Sequence, residues 1–390
     1  MISSSVSAND LANENPGVNH PGSQQPQRRR STLADVARHA GVTTMTVSRF
    51  LRTPAQVSPM TAQRVQEALE RTGYVANKQA GILATGASSM VATIIPNIAH
   101  SIFSETILGL SDTLEAQGFE LLLASSGYSL EREQKQIRAL LGWNPFALVV
   151  TGRHHTPGSI RLLLAAQDAG TPVVEMWDQT GSRPEFAHIG FDHAAAGALM
   201  ARHLMAQGYC RLVYVDSGVD EDFRAHERGV GFVQAAAAQH GIEARVVRAG
   251  IGEPIAAGRA VLQKLMGAGS STSSSSKKKP YQHQPPRALA FANDHLAVGA
   301  WLQAQDLRIA VPERIALLGF GDFPIAGQIS GGISTVAAPR YAIGQAVGQW
   351  IARQRKAAPL VEGVSTSFAA ADDPNALPPL EPVLVQRRST

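Results

Sequence analysis

Residues 32–52, TLADVARHAGVTTMTVSRFLR, constrain the fold of this chain more than any other stretch. Thr32 stands where a helix cap is needed, and Asp35 three residues later completes a capping-box pattern. Leu33, Val36, Ala37 and Ala40 recur at helical spacing and form one apolar stripe. Gly41 ends that helix and Thr43 caps a second. On the second helix the spacing turns Val47, Phe50 and Leu51 inward, while Thr44, Met45, Ser48 and Arg49 share the outward face. A helix fits the major groove of DNA, where an arginine can hold guanine O6 and N7 with two hydrogen bonds. An ordinary helical hairpin with a solvated face would show the same pattern, so the rest of the chain must decide.

Charge decides in one direction. Residues 28–80 hold nine Lys/Arg against three acids (Asp35, Glu67 and Glu70), a net +6. The whole chain of 390 residues carries +4, so the remainder sums to −2. A basic module on a nearly neutral body is the electrostatic footprint of a phosphate-binding domain. The short run Arg28–Arg30 adds little, since such a run is more often a solvated tail.

The chain reads as a disordered tail (1–29), a helix-turn-helix domain (30–75), a hinge helix and linker (76–88) and a large body (89–390). A third helix completes the small domain, with Ser58 as cap, Pro59 in the first turn, Val65, Ala68 and Leu69 inward, and Gly73 as the stop. Within the body, apolar strand candidates at 91–95, 119–124, 146–151, 172–176, 188–191, 211–215, 287–291 and 314–320 alternate with amphipathic helices at 102–117, 130–141, 192–207 and 293–306. That alternation predicts α/β architecture with parallel, doubly wound sheets, and the length predicts two lobes rather than one. Ligands of such sheets bind beyond the carboxyl ends of the strands. Residues 268–286, rich in Ser and Lys, read as a flexible surface insertion.

A helix-turn-helix, a short hinge and two α/β lobes together resemble the LacI/GalR family of transcription repressors, from about residue 30 to residue 350. The motif DVARHAGVTTMTVSRFL, followed by VSPMTAQRVQEALERTGYVANKQA, carries the family likeness. WNPFALVVTGRHHTP, GTPVVEMWDQ and IGFDHAAAG resemble its gluconate-utilisation repressors, with FANDHLAVGA in support. The resemblance implies a two-lobed, periplasmic-binding-protein-like body. It implies that Thr44, Met45 and Arg49 read bases, that Thr32, Thr43 and Ser48 hold phosphates, and that Ala80 and Leu83 of the hinge enter the minor groove. Leu83 would be the wedge, its unstacking cost of a few kcal/mol offset by the contacts that bending allows. Two departures stand out: Ala76 replaces a frequent proline, and Met45 replaces an amide that would grip adenine.

A sugar acid needs a cation for its carboxylate and paired groups for its hydroxyls. Arg228 matches the family arginine that precedes Gly-Phe, and Asn293 matches a ligand-contacting position. Asp294 reads as the cap of the following helix. Arg153 and His155 follow strand 146–151, and Glu175 with Trp177 ends strand 172–176, all at carboxyl ends. Phe103 lies either against the carbon chain or in the core, and Asp192 is either a cap or a ligand residue. Gly321 takes the place of a frequent aspartate, which leaves Asp322 as either the acceptor or a turn residue.

The expected function is therefore a homodimeric, sequence-specific repressor on double-stranded operator DNA, relieved by a small sugar-acid effector, with gluconate first. Another sugar or sugar acid such as 2-ketogluconate is the alternative, and a sugar-binding protein without DNA function a more distant one. No phosphate loop, metal-ligand cluster or nucleophile–base arrangement is legible, so an enzyme is not expected, nor a cofactor. The single cysteine, Cys210, excludes an internal disulfide and reads as a buried structural thiol. With no secretory signal and no spanning segment, a cytoplasmic location is expected. The C-terminal segment lacks a leucine heptad, so a coiled-coil tetramer is not expected.

Overall fold

A computed structural model describes residues 31–76, 88–98, 102–179, 185–267, 287–357 and 380–390. Ala80, Leu83, the tail and the insertion 268–286 lie outside the described residues. The described residues fall into two compact units that divide between residues 86 and 87.

The first unit is a small helical bundle of α1 (Leu33–Ala40), α2 (Thr44–Arg52) and α3 (Pro59–Thr72). The capping box at its start is formed in both directions: Thr32 N–H donates to Asp35 Oδ2 at 2.9 Å, and Asp35 N–H donates to Thr32 Oγ1 at 3.4 Å. Gly41 is required twice over. Its φ of 63° is left-handed, and a Cβ there would lie 2.6 Å from Arg64 Nη2. Arg64 reaches in from α3 to the carbonyls of Ala40 and Gly41, groups that the end of α1 leaves free. Val36, Ala37, Ala40, Val47, Val65 and Ala68 form the core, with Phe50 and Leu69 against it. Leu51 departs from the expected inward face and is 37 % exposed. It lies on the same side of α2 as Thr44 and Ser48, seven and three residues earlier. Ser58 precedes α3 as expected, but its hydroxyl donates to the Thr61 hydroxyl at 2.9 Å instead of capping the backbone.

The second unit contains two sheets. The first has the order β2-β1-β3-β4-β5, all parallel, from β1 (Met90–Ile95), β2 (Glu120–Ser125), β3 (Ala147–Thr151), β4 (Val173–Asp178) and β5 (Ala187–Phe191). The helices α4 (Ser104–Glu115), α5 (Leu130–Leu141) and α6 (Pro157–Asp168) connect its first four strands. Ile137 and Leu140 of α5 and Leu163 of α6 pack against Ala92, Ile94, Leu148, Val150 and Val173 on one face.

The second sheet has the order β11-β10-β9-β8-β6-β7. It is built from β6 (Arg211–Asp216), β7 (Glu243–Arg248), β8 (Ala288–Phe291), β9 (Ala316–Phe320), β10 (Ser334–Ala337) and β11 (Val383–Val385). All neighbours are parallel except β10 and β11. Its helices are α7 (His193–Ala206), α8 (Phe223–Ala237), α9 (Pro254–Gly267), α10 (Asp294–Asp306) and the short α11 (Pro324–Gln328). Cys210, just before β6, is exposed and not the buried thiol expected, because the strand that would bury it starts one residue later.

The lobes are not successive halves of the chain. The long helix α12 (Arg340–Ala357) follows the second sheet in sequence yet packs along α4 of the first lobe. Glycines set that crossing from both sides. A Cβ on Gly109 would fall 2.3 Å from the Tyr341 carbonyl oxygen, and one on Gly344 would fall 2.0 Å from that of Thr106. The pair α7 and α8 repeats the arrangement through Gly197 and Gly231, and α9 and α10 through Gly258 and Gly299. At each crossing the backbones meet without an intervening side chain. No described helix is long and apolar enough to cross a membrane.

Candidate functional site

Two places in the chain gather chemistry. The first is the outward face of α2. Thr43, Thr44, Met45 and Arg49 are exposed and Ser48 is half-buried, while Val47 on the opposite face is fully buried. Thr43 also caps the helix, its hydroxyl accepting from Thr46 N–H at 3.2 Å. Met45 keeps 66 % of its surface exposed, unusual for a large apolar side chain with no apolar neighbour to cover it. The outward face of α2 therefore presents hydroxyls, one thioether and the guanidinium of Arg49, the last of these in the final turn. Thr32, at the start of α1, is half-buried within its capping box.

The second place is a cleft between the two sheets of the large unit, with about 830 Å³ of empty space, part of it open to solvent. Loops at the carboxyl ends of strands from both sheets line it. The first sheet supplies Phe103, Tyr128, Trp177 and, at the crossover into α7, His193; the second supplies Ser217, Asp222, Arg224, Arg228, Asn293 and Phe323. A smaller polar cavity adjoins it and shares Tyr128 and Arg224.

The aromatic wall is tightly built. Phe103 meets Trp177 edge-on with ring centroids 5.3 Å apart. Trp177 reaches that wall because its φ of 74° breaks the alternation of β4. Gly190 of β5 permits this, since a Cβ there would fall 2.4 Å from the Trp177 backbone. Opposite the wall lie two arginines one turn apart on α8. Arg228, 3 % exposed, donates Nη1–H to His193 Nδ1 and Nη2–H to the Ala292 carbonyl, both at 3.0 Å. Its guanidinium also lies 3.9 Å over the Phe320 ring. His193 gives its other nitrogen, Nε2–H, to the Trp177 carbonyl at 2.8 Å. Burial, helped by the nearby arginines, holds His193 well below its ordinary range, so it is neutral. Arg228 Nε is buried without a hydrogen-bond partner.

Of the residues expected from sequence, Phe103, Trp177, Arg228 and Asn293 line this cleft. Asn293 is at the same time the cap of α10, accepting from Leu296 N–H at 3.0 Å, which corrects the assignment of that cap to Asp294. Asp294 is wholly buried and braces the loop after β9, accepting from Thr335 Oγ1 at 2.6 Å and Phe323 N–H at 2.7 Å. Burial pushes it up to about 6. Asp192 is the cap of α7.

Four other expected residues do not line the cleft. Glu175 and His155 sit beneath it, in a buried cluster in which His155 joins Glu133 at 2.8 Å and Glu175 at 3.2 Å. The reason is register. Strand β4 runs on to Asp178, so Glu175 is mid-strand, on the face that α5 and α6 cover. Burial opposes the charge of His155, but its two carboxylates outweigh that and hold it up to about 9. Glu175 is likewise opposed by burial and held down to about 2 by His155 and His188. Arg153 stands at the edge between the lobes, paired with Glu227 of α8 at 2.6 Å, and His154 shares that carboxylate at 2.9 Å. Asp322 is a turn residue with φ 54°, its carboxylate held by Arg387 at 2.7 Å.

Sequence reasoning passed over Arg224, Tyr128 and His193. The signal for Arg224 was available, since it lies four residues before Arg228 and so shares its helix face.

Comparison with known proteins places both sites in one family. The model of the bacterial regulatory proteins of the lacI family matches residues 32–77, and that of the periplasmic binding protein-like domain matches residues 201–390. The HTH-type transcriptional regulator GntR of Escherichia coli (strain K12) is 30 % identical over 322 residues, covering 82 % of this chain and 90 % of the relative. The chain belongs to the LacI family of bacterial regulatory proteins.

The GntR regulator of Pseudomonas aeruginosa is 35 % identical over 321 residues, covering 81 % of this chain and 87 % of its own length. Among solved structures, a LacI-family transcriptional regulator from Silicibacter pomeroyi superposes with a TM-score of 0.76 at 28 % identity, covering 92 % of this chain and 99 % of that one. The lac repressor dimer bound to operator shares the fold, with a TM-score of 0.72 at 19 % identity over 93 % of this chain and 99 % of that one. As a LacI-family member the chain is a DNA-binding transcriptional regulator, with its helix-turn-helix in α1 and α2 and its periplasmic-binding-protein-like body in the two lobes.

Proposed function

We propose that this regulator is a homodimeric repressor whose affinity for operator DNA is lowered by a sugar acid, gluconate being the first candidate. The observation that carries the reading is the pair of buried guanidiniums, Arg224 and Arg228, facing an aromatic wall in a cleft at the carboxyl ends of strands from both lobes. A polyhydroxy carboxylate suits such a cleft, matching one cation to its carboxylate and spreading its hydroxyls over the remaining polar groups. The likeness of the 143–157, 170–179 and 189–197 segments to gluconate-utilisation repressors supports the same effector.

On this reading Thr44, Met45 and Arg49 read bases, Thr32, Thr43 and Ser48 hold phosphates, and Ala80 with Leu83 enters the minor groove between two half-sites. The effector bridges the lobes, and it lowers affinity for operator DNA by the same factor by which operator DNA lowers affinity for the effector. Calorimetric titration of the purified protein with gluconate, 2-ketogluconate and galactose tests the effector. Heat on the acids and none on galactose is expected; binding of galactose alone would overturn the reading. A gel shift on the operator, weakened by the acid that binds, tests the coupling.

A further inference from the structure

We propose that Arg224, and not the family arginine Arg228, receives the effector's carboxylate and makes this cleft choose acids over neutral sugars. The proposal rests on the sugar-acid reading above. It begins with how the two guanidiniums are spent. Arg228 has both terminal nitrogens committed, to His193 Nδ1 and to the Ala292 carbonyl, and one of its faces lies against Phe320. Its Nε is buried and the guanidinium also interacts with the buried Tyr214 hydroxyl, so little of Arg228 is left for a ligand. A carboxylate is gripped by two parallel N–H groups, which the committed fork of Arg228 cannot give.

Arg224 is in the opposite position. It is 8 % exposed; the buried Asp178 carboxylate feels its charge and the Tyr128 hydroxyl hydrogen-bonds with it, but no carboxylate of a described residue grips its fork in a close ion pair. A guanidinium whose fork is not gripped by a carboxylate can still take an anion with two parallel N–H groups. It lines both the main cleft and the smaller cavity beside it, so its charge lies where the two meet. Phe103 supports it, the guanidinium carbon lying 5.8 Å from the ring centroid. The opposite lobe makes room for it: a Cβ on Gly152 would fall 2.5 Å from Arg224 Nη1, so no other residue at 152 would leave the guanidinium where it is. Arg224 thus reaches from α8 to the far lobe, and an anion bound to it would be held by both lobes at once.

The test uses the full-length protein and two probes of one carbon skeleton, gluconate and its neutral amide, gluconamide, with 2-ketogluconate in support. Wild type should prefer gluconate to gluconamide by tenfold or more. Arg224→Gln should weaken gluconate at least tenfold and bring the two probes within about threefold of each other, with operator affinity and melting temperature retained. Arg224→Lys, which keeps the charge and loses the fork, should fall between. Arg228→Gln should weaken both probes by a similar factor and keep the preference for the acid. Retention of the wild-type preference by both Arg224 variants, or its loss in Arg228→Gln alone, would overturn the proposal while leaving the sugar-acid reading intact. Failure of wild type to bind either acid would overturn that reading and this proposal with it.

Discussion

His193 accepts a hydrogen bond from Arg228 at 3.0 Å through Nδ1 while its Nε2–H is held by the Trp177 carbonyl at 2.8 Å. A neutral imidazole thus joins the aromatic wall of one lobe to the guanidinium of the other. The tautomer is dictated from both sides, and a proton on Nδ1 would set His193 and Arg228 in direct repulsion.

That relationship has a pH signature. The folded-state value of His193 lies well below its ordinary 6.5, so below about pH 6.5 the unfolded chain binds the proton more readily and stability falls as pH drops. His193→Gln can keep both hydrogen bonds and cannot titrate. Melting curves at pH 7.5 and 5.5 should therefore show a smaller acid loss for the variant than for wild type. Equal losses would remove His193 as their source.

The buried cluster beneath the cleft runs the other way. His155 is held up to about 9 by Glu133 and Glu175 against the cost of its burial. Its contribution is complete below pH 6.5 and lost as pH rises through about 9. His155→Gln should lower the melting temperature most at pH 6 and progressively less towards pH 9.5. A gap that stays constant across that range would mean that His155 acts through packing alone.

For the DNA face, Arg49→Ala should cost about 1–3 kcal/mol per half-site if the side chain grips a guanine. Titration of the effector should be unchanged, because Arg49 is exposed on α2 in the other compact unit. The gel shift and the calorimeter report the two effects separately. An unaltered shift would take Arg49 out of the reading set.

The glycine crossings predict a stability contrast. Gly231→Ala would place a methyl 2.0 Å from the Ala194 carbonyl oxygen, so α7 and α8 must separate at a cost of about 1–3 kcal/mol or more. Gly267→Ala, with no atom of a described residue within 4 Å of the new Cβ, should change stability by less than about 1 kcal/mol. Denaturant unfolding of the two variants measures both.

The two-lobed plan was legible because its strands are apolar runs bounded by turns and its helices are periodic. Strand β1 was expected at 91–95 and spans Met90–Ile95, and α5 matches its expected 130–141. Three strands escaped notice. Glu243–Arg248 is a charged edge strand whose exposed side carries polar groups, while β10 and β11 are four and three residues long, too short for a period. In the cleft, Arg228 and Asn293 could be read because one motif marks each. Glu175 could not be excluded, since its burial depends on where β4 ends, and strand ends are the least determined part of a sequence reading. The return of α12 to the first lobe has no local signature at all; it depends on contacts between residues more than two hundred positions apart.

That return has a consequence for synthesis. A ribosome emits β1 to β5 first, yet the face of α4 that meets α12 stays uncovered until residue 357 has emerged. Roughly 150 further residues separate β5 from α12, which at about 5–20 residues per second leaves the nascent lobe incomplete for roughly 10–30 s. Leu110, fully buried in the finished protein, is held through that interval by a chain that cannot yet close around it, and the nascent lobe is then a natural client for a chaperone.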